Sequence, residues 1–223
     1  MQTPSFPHES ATLLLEGPAG PLEVAVDPAD AAAVAQSCIA IICHPLSTDG
    51  GSMHNKVVTM LARALRELGI TTVRFNFRSV GASAGDYDSG VGEQDDLRAV
   101  AAWVREHNPN HALWLAGFSF GAYVSLRASA ALQPQALISV APPVGRQPWD
   151  FSQVQPPANW LVVQGDADEI VDAQAVYQWL QSLPQPPQLV RMPDTSHFFH
   201  RKLIDLRGAV QHEARRWLPD GSC

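Results

Sequence analysis

A chain of 223 residues, 46% hydrophobic and 17% charged, can enclose one substantial core, which excludes a mostly disordered protein and suits a single domain, 1–223, better than two. Fifteen Lys+Arg against 22 Asp+Glu leave a net charge of −7, and only Lys56 and Lys202 are lysines, so no basic footprint for nucleic acid or anionic lipid exists. Cys38, Cys43 and Cys223 follow no C-x-x-C or secreted-scaffold rhythm, the opening MQTPSFPHES lacks basic and apolar signal regions, and no apolar run reaches the roughly 18 residues of a membrane span. A cytoplasmic protein with free thiols is the expectation, with residues 1–10 and 219–223, Cys223 included, as flexible tails.

In chain order, residues 11–26 read as two strands around Gly17–Pro21, an antiparallel hairpin at a sheet edge. Short apolar or β-branched runs then alternate with longer stretches of helical period. The runs are Cys38–Cys43, Thr71–Phe77, Ala112–Ala116, Ala136–Val140, Trp160–Gln164 and Gln188–Met192. Val57, Leu61, Ala64 and Leu68 mark the first helix, which Gly69 stops. Leu97, Val100 and Val104 mark a second, with Glu93, Asp95 and Asp96 suited to its N-terminus. Phe120–Leu132 is apolar or small nearly all round and predicts a buried helix. Val176, Leu180 and Leu183 mark a fourth, capped by Asp172, and Leu203, Leu206, Val210 and Trp217 the last. This alternation predicts a mostly parallel twisted sheet with helices on both faces. The proline-rich stretch between Val140 and Trp160 is too short for a helical cap domain.

In open α/β sheets, chemistry gathers beyond the carboxyl ends of the strands. Two G-x-S-x-G matches occur, although glycine at about 7% gives only about 0.06 chance matches in a chain this long. Gly81–Gly85 is followed by the turn formers Asp86–Gly90, so Ser83 reads as a loop residue. Gly117-Phe-Ser119-Phe-Gly121 lies between the strand HALWLA and the helix AYVSLRASAAL, the strand–turn–helix context the motif requires. There a serine on a sharp turn is exposed, glycines two residues either side avoid collisions, and the Phe120 N–H at the first turn of a helix faces a developing oxyanion. The bland alternative, a serine capping a buried helix, accounts for the serine but not for both glycines.

A serine nucleophile needs a histidine base and a carboxylate, in the order Ser, Asp/Glu, His. After the strand WLVVQ, residues 165–172 place four carboxylates at one strand end. Asp168 is the choice and Asp166 the runner-up, against the alternative of a solvated acidic turn. After QLVRM, His197 stands where the base is needed. His200 at i+3 resembles a metal pair without a third ligand and reads as part of the last helix's first turn, while Phe198 and Phe199 read as packing. Cys43-His44-Pro45-Leu46 ends the third strand. Its Leu46 N–H is the second oxyanion donor, Pro45 having none to give, and His44 reads as a loop brace.

Taken together, His44-Pro45-Leu46, Gly50–Lys56, the block Arg74–Arg78, Gly81–Gly85, Gly92-Glu93, the Ser119 motif, Gly165-x-x-Asp168 and His197-Phe-Phe resemble the small lidless bacterial serine hydrolases of the α/β-hydrolase superfamily, neighbours of carboxylesterases and dienelactone hydrolases, over about residues 11–217. The resemblance implies an α/β-hydrolase fold, Ser119, Asp168 and His197 as catalytic residues, and Leu46 and Phe120 as the oxyanion hole. It departs at Ser79, where such proteins usually have glycine, and Ser119 stands where dienelactone hydrolases use cysteine. The expected function is hydrolysis of small carboxylic esters through an acyl-enzyme, without metal or organic cofactor and on a small-molecule substrate. Thioester or peptide cleavage, and a binding protein on the same fold, are the alternatives. Nucleotide binding is set aside, since neither G-x-G-x-x-G nor a P-loop is present.

Overall fold

A computed structural model of the chain describes residues 4–218. Eight strands form one sheet in the order β1-β2-β4-β3-β5-β6-β7-β8. β1 (Ala11–Gly17) and β2 (Gly20–Asp27) are the expected hairpin, and β2 pairs antiparallel with β4 (Thr71–Phe75). From β4 onward, β3 (Cys38–Cys43), β5 (Ala112–Phe118), β6 (Ala136–Val140), β7 (Asn159–Gly165) and β8 (Gln188–Met192) are all parallel. The central strands are buried on both faces, which is why they read as continuous apolar runs rather than alternating ones.

Each face has its own apolar layer. α1 (Lys56–Arg66) and α5 (Leu203–Ala214) cover one face through Val57, Leu61, Leu206 and Val210, against Ile42, Trp114 and Ile138. α2 (Gly92–His107), α3 (Phe120–Leu132) and α4 (Ala173–Ser182) cover the other through Leu97, Val100, Val124 and Val176, against Ile41, Leu115 and Val162. Asn55 caps α1 by accepting the Val57 N–H, and Asp172 caps α4 by accepting that of Gln174.

Several details differ from the sequence reading. β4 ends at Phe75 rather than Phe77: the Asn76 N–H still reaches the Glu23 carbonyl of β2 while its carboxamide accepts the Met53 N–H, and the Phe77 N–H leaves the ladder for His44. α5 begins only at Leu203, so His200 lies in the preceding turn, outside the helix. Glu93 and Asp96 are buried rather than aligned on the helix surface. Glu93 accepts the Asp88 and Gly90 amides, and Asp96 grips the Arg78 guanidinium and amide. Of the expected N-terminal tail, Pro4 accepts a hydrogen bond from the Trp103 indole and Phe6 stacks on that ring. Residues 1–3 and 219–223, with Cys223, lie outside the described residues. The segment between β6 and β7 adds no helix and turns Trp149 and Phe151 inward instead.

Candidate active site

β5 runs straight into Ser119, which has φ 53 and ψ −118, a backbone that L-residues seldom adopt. The neighbourhood holds it there. Its N–H donates to the Val140 carbonyl of β6, and its own carbonyl accepts the Ala122 and Tyr123 amides of α3. A Cβ on Gly117 would stand 2.2 Å from the Gly121 carbonyl oxygen, and one on Gly121 would stand 2.3 Å from that of Cys43. Strand, turn and helix therefore approach each other more closely than any side chain allows.

Asp168 follows β7 and His197 follows β8. His197 Nδ1 lies 2.8 Å from Asp168 Oδ2, and its Nε2 lies 3.1 Å from Ser119 Oγ. A carboxylate only accepts, so Nδ1 carries the ring proton and Nε2 is left to accept from the serine hydroxyl. Burial resists ionisation of Asp168, but the hydrogen bonds from His197, Val171 and Ile170 outweigh it and hold the carboxyl below its ordinary range. The three sequence-selected side chains thus form one continuous hydrogen-bonded chain. The runner-up, Asp166, instead accepts the Tyr177 hydroxyl.

Three further residues support this arrangement, of which only Gln164 was passed over in the sequence. Gln164, fully buried at the end of β7, donates from Nε2 to Asp168 Oδ2 at 3.0 Å, while its Oε1 has no partner. Its signal was a carboxamide closing an otherwise apolar strand. Glu169 accepts the His197 amide at 3.0 Å. Gly165 lets the acid and base loops meet, since a Cβ there would fall 2.2 Å from the Thr195 carbonyl oxygen. The Phe pair divides: Phe199 is fully buried, whereas Phe198 is 49% exposed at the pocket edge.

Leu46, Ser119 and His197 line one small pocket of about 70 Å³, together with Trp149, Ile170 and Phe198. Phe120 opens α3, so its N–H has no acceptor within the helix. His44 braces this wall: Nε2 accepts the Phe77 N–H, and Nδ1 faces the Pro45 carbonyl at 2.6 Å. Ser83 is a strut rather than a second nucleophile, donating to Asn76 O and accepting from the Glu23 amide. Ser79, at the departure from the usual glycine, takes φ 69, so the left-handed turn is kept. Among the described residues no cluster of His, Cys, Asp or Glu is arranged to hold a metal.

A parallel sheet flanked on both faces by helices, with a serine on a strained strand-to-helix turn facing a histidine and a carboxylate, defines an α/β hydrolase. Residues 47–213 match the family described as "alpha/beta hydrolase domain", and the chain belongs to that family. It is similar to a Xanthomonas campestris protein described as an α/β serine hydrolase without lid, with 75% identity over 97% of this chain and 99% of that one, at a TM-score of 0.96. An α/β serine hydrolase homologue from Coxiella burnetii is 46% identical over 93% of this chain and 99% of its own, with a TM-score of 0.87. An uncharacterized protein of Rickettsia prowazekii is 34% identical over 182 residues, 77% of this chain and 76% of that protein. Among the described residues no helix is long and apolar enough to cross a membrane.

Proposed function

We propose that the protein is a carboxylesterase that cleaves small esters through an acyl-enzyme. The observation that carries the reading is the Ser119–His197–Asp168 hydrogen-bonded chain, at 3.1 and 2.8 Å, opening on a pocket. Ser119 Oγ attacks the ester carbonyl while His197 Nε2 takes its proton. Asp168 keeps the imidazole in the required tautomer and stabilises the imidazolium. The Leu46 and Phe120 amides receive the carbonyl oxygen as it becomes an oxyanion, a role worth about 3 kcal/mol for each donor. As the tetrahedral intermediate collapses, the C–O bond to the alcohol breaks and His197 returns its proton to the departing oxygen. Water, deprotonated by His197, then attacks the acyl carbon, and Ser119 leaves with the proton. No cofactor enters this cycle.

A pocket of about 70 Å³ favours a short acyl group over a long-chain one. Thioester or peptide cleavage would use the same groups, and a non-catalytic binder would need none of them in register. The reading includes a small-molecule substrate, rather than nucleic acid or a membrane, and a cytoplasmic location in keeping with the buried free thiols Cys38 and Cys43. A fluorophosphonate probe tests the mechanism: it is expected to label Ser119 in the native protein and not in Ser119→Ala. That variant is expected to lose a factor of about 10⁶ in kcat on short aryl esters. An unlabelled Ser119, or full turnover by Ser119→Ala, overturns the reading.

A further inference from the structure

The reactive pocket does not end at Phe198. A second groove, of about 420 Å³, shares Phe198 and Asn55 with the pocket. Its remaining lining is Lys56, Val57, His200, Arg201 and Leu203, with no carboxylate among them. In a chain of net charge −7 that holds two lysines, this is a local reversal of sign.

The cations here are also uncommitted. Arg63, Arg66, Arg74, Arg78, Arg98 and Arg207 each sit on a carboxylate, and so does Lys202, the immediate neighbour of Arg201. Lys56 and Arg201 form no ion pair among the described residues, although both line the same groove. Arg201 is presented by a backbone with φ 61, two residues after Phe199 at φ 53, so the turn that carries it is tightly bent. The reactive pocket itself is mixed in charge, with Asp49 and Arg146 both in its wall.

Chemistry gives the groove its side of the reaction. His197 Nε2 delivers the proton to the departing oxygen, so the alcohol portion leaves past the imidazole. Phe198 and His200 follow His197 in the chain, and both line the groove, Phe198 lining the reactive pocket as well. The acyl portion is then left with the small pocket beside Leu46 and Trp149.

We propose that the groove is the alcohol-side subsite and that the preferred substrate is a short-chain ester whose alcohol ends in an oxyanion, a phosphate or a carboxylate, held between Lys56 and Arg201. This assignment rests on the esterase reading above. Attraction between exposed charges is modest and weakens as salt rises. The expected preference is therefore about tenfold in kcat/KM at low ionic strength and smaller at high.

The test compares three acetate esters on the native protein: those of 6-hydroxyhexyl phosphate, of 6-hydroxyhexanoate and of 1,6-hexanediol as the neutral reference. The expected result is a ratio of about ten or more for at least one anionic ester over the neutral one, falling with added salt. Which anion gains more separates phosphate from carboxylate. In the double variant Lys56→Glu, Arg201→Glu the ratio is expected to fall to one or below. Hydrolysis of all three esters at equal kcat/KM overturns the subsite and leaves the esterase reading standing, as does a preference that the double variant keeps. If none is hydrolysed and a fluorophosphonate leaves Ser119 unlabelled, the esterase reading fails and the subsite goes with it.

Discussion

Asp168 divides its two oxygens between two tasks. Oδ1 accepts the Ile170 and Val171 amides, which fixes the loop, and Oδ2 is shared between His197 and Gln164. Losing the Gln164 donor leaves Oδ2 held by His197 alone and the imidazole less firmly aimed. Gln164→Leu is expected to lower kcat about tenfold with KM little changed, as steady-state kinetics on a neutral short-chain ester will show. His44 gives a separate signature in pH. Burial, working against the hydrogen bond to Pro45, lowers its imidazole to about 4 from 6.5, and a proton on Nε2 would face the Phe77 N–H. Between those two values the unfolded chain binds a proton that the folded one refuses, so stability falls as pH drops from 6.5 toward 4, by about 3 kcal/mol in all. Urea midpoints across that window are expected to show the slope in the native protein and a flatter one in His44→Gln.

At the scale of elements, the β5–α3 turn and the β4–α2 connection both carry G-x-S-x-G, and they use it differently. In the first, the flanking glycines admit backbone contacts closer than 2.5 Å to any added Cβ. Gly121→Ala is expected to cost about 3 kcal/mol or more in chemical denaturation, because the obstacle is the Cys43 carbonyl rather than a movable side chain. In the second, Ser83 ties Asn76 to Glu23 across two strands. Ser83→Ala is expected to cost about 2 kcal/mol of stability while kcat on short esters stays within a factor of two. The context following each motif distinguished the two in sequence: an apolar helix after Gly121, turn formers after Gly85. Strands buried on both faces were legible for a similar reason, since Cys38–Cys43 and Ala136–Val140 end where turn formers or polar residues begin. What pattern does not carry is where polar side chains reach. Glu93 and Asp96 read as favourable charges at a helix start, but their partners, Asp88, Gly90 and Arg78, are fixed only once the β4–α2 connection folds back on α2. Gln164 was hidden likewise, because nothing local says that its neighbour in space is Asp168.

For the whole molecule, that fold-back is a buried polar commitment away from the site. Asp96 is fully buried and holds Arg78 by side chain and amide, joining the β4 end to α2. Asp96→Ala leaves the guanidinium, itself 12% exposed, without its counter-charge. The expected cost is about 4 kcal/mol, read as a large fall in Tm, with fluorophosphonate labelling of the folded fraction retained. The distribution of backbone strain has a wider meaning. Of eight non-glycine residues with positive φ among the described residues, seven follow the carboxyl ends of parallel strands: Ser79, Ser89, Ser119, Ala141, Asp194, Phe199 and Arg201. At the amino end of the parallel strands the one such non-glycine residue among those described is Gln133, at the end of α3. The protein is thus uneven in what change it tolerates: a loop inserted at the carboxyl pole inherits side-chain-bearing residues already held in a disfavoured backbone, whereas at the amino pole the tightest turn is left to Gly69, where a Cβ would fall 1.8 Å from the Val34 carbonyl oxygen.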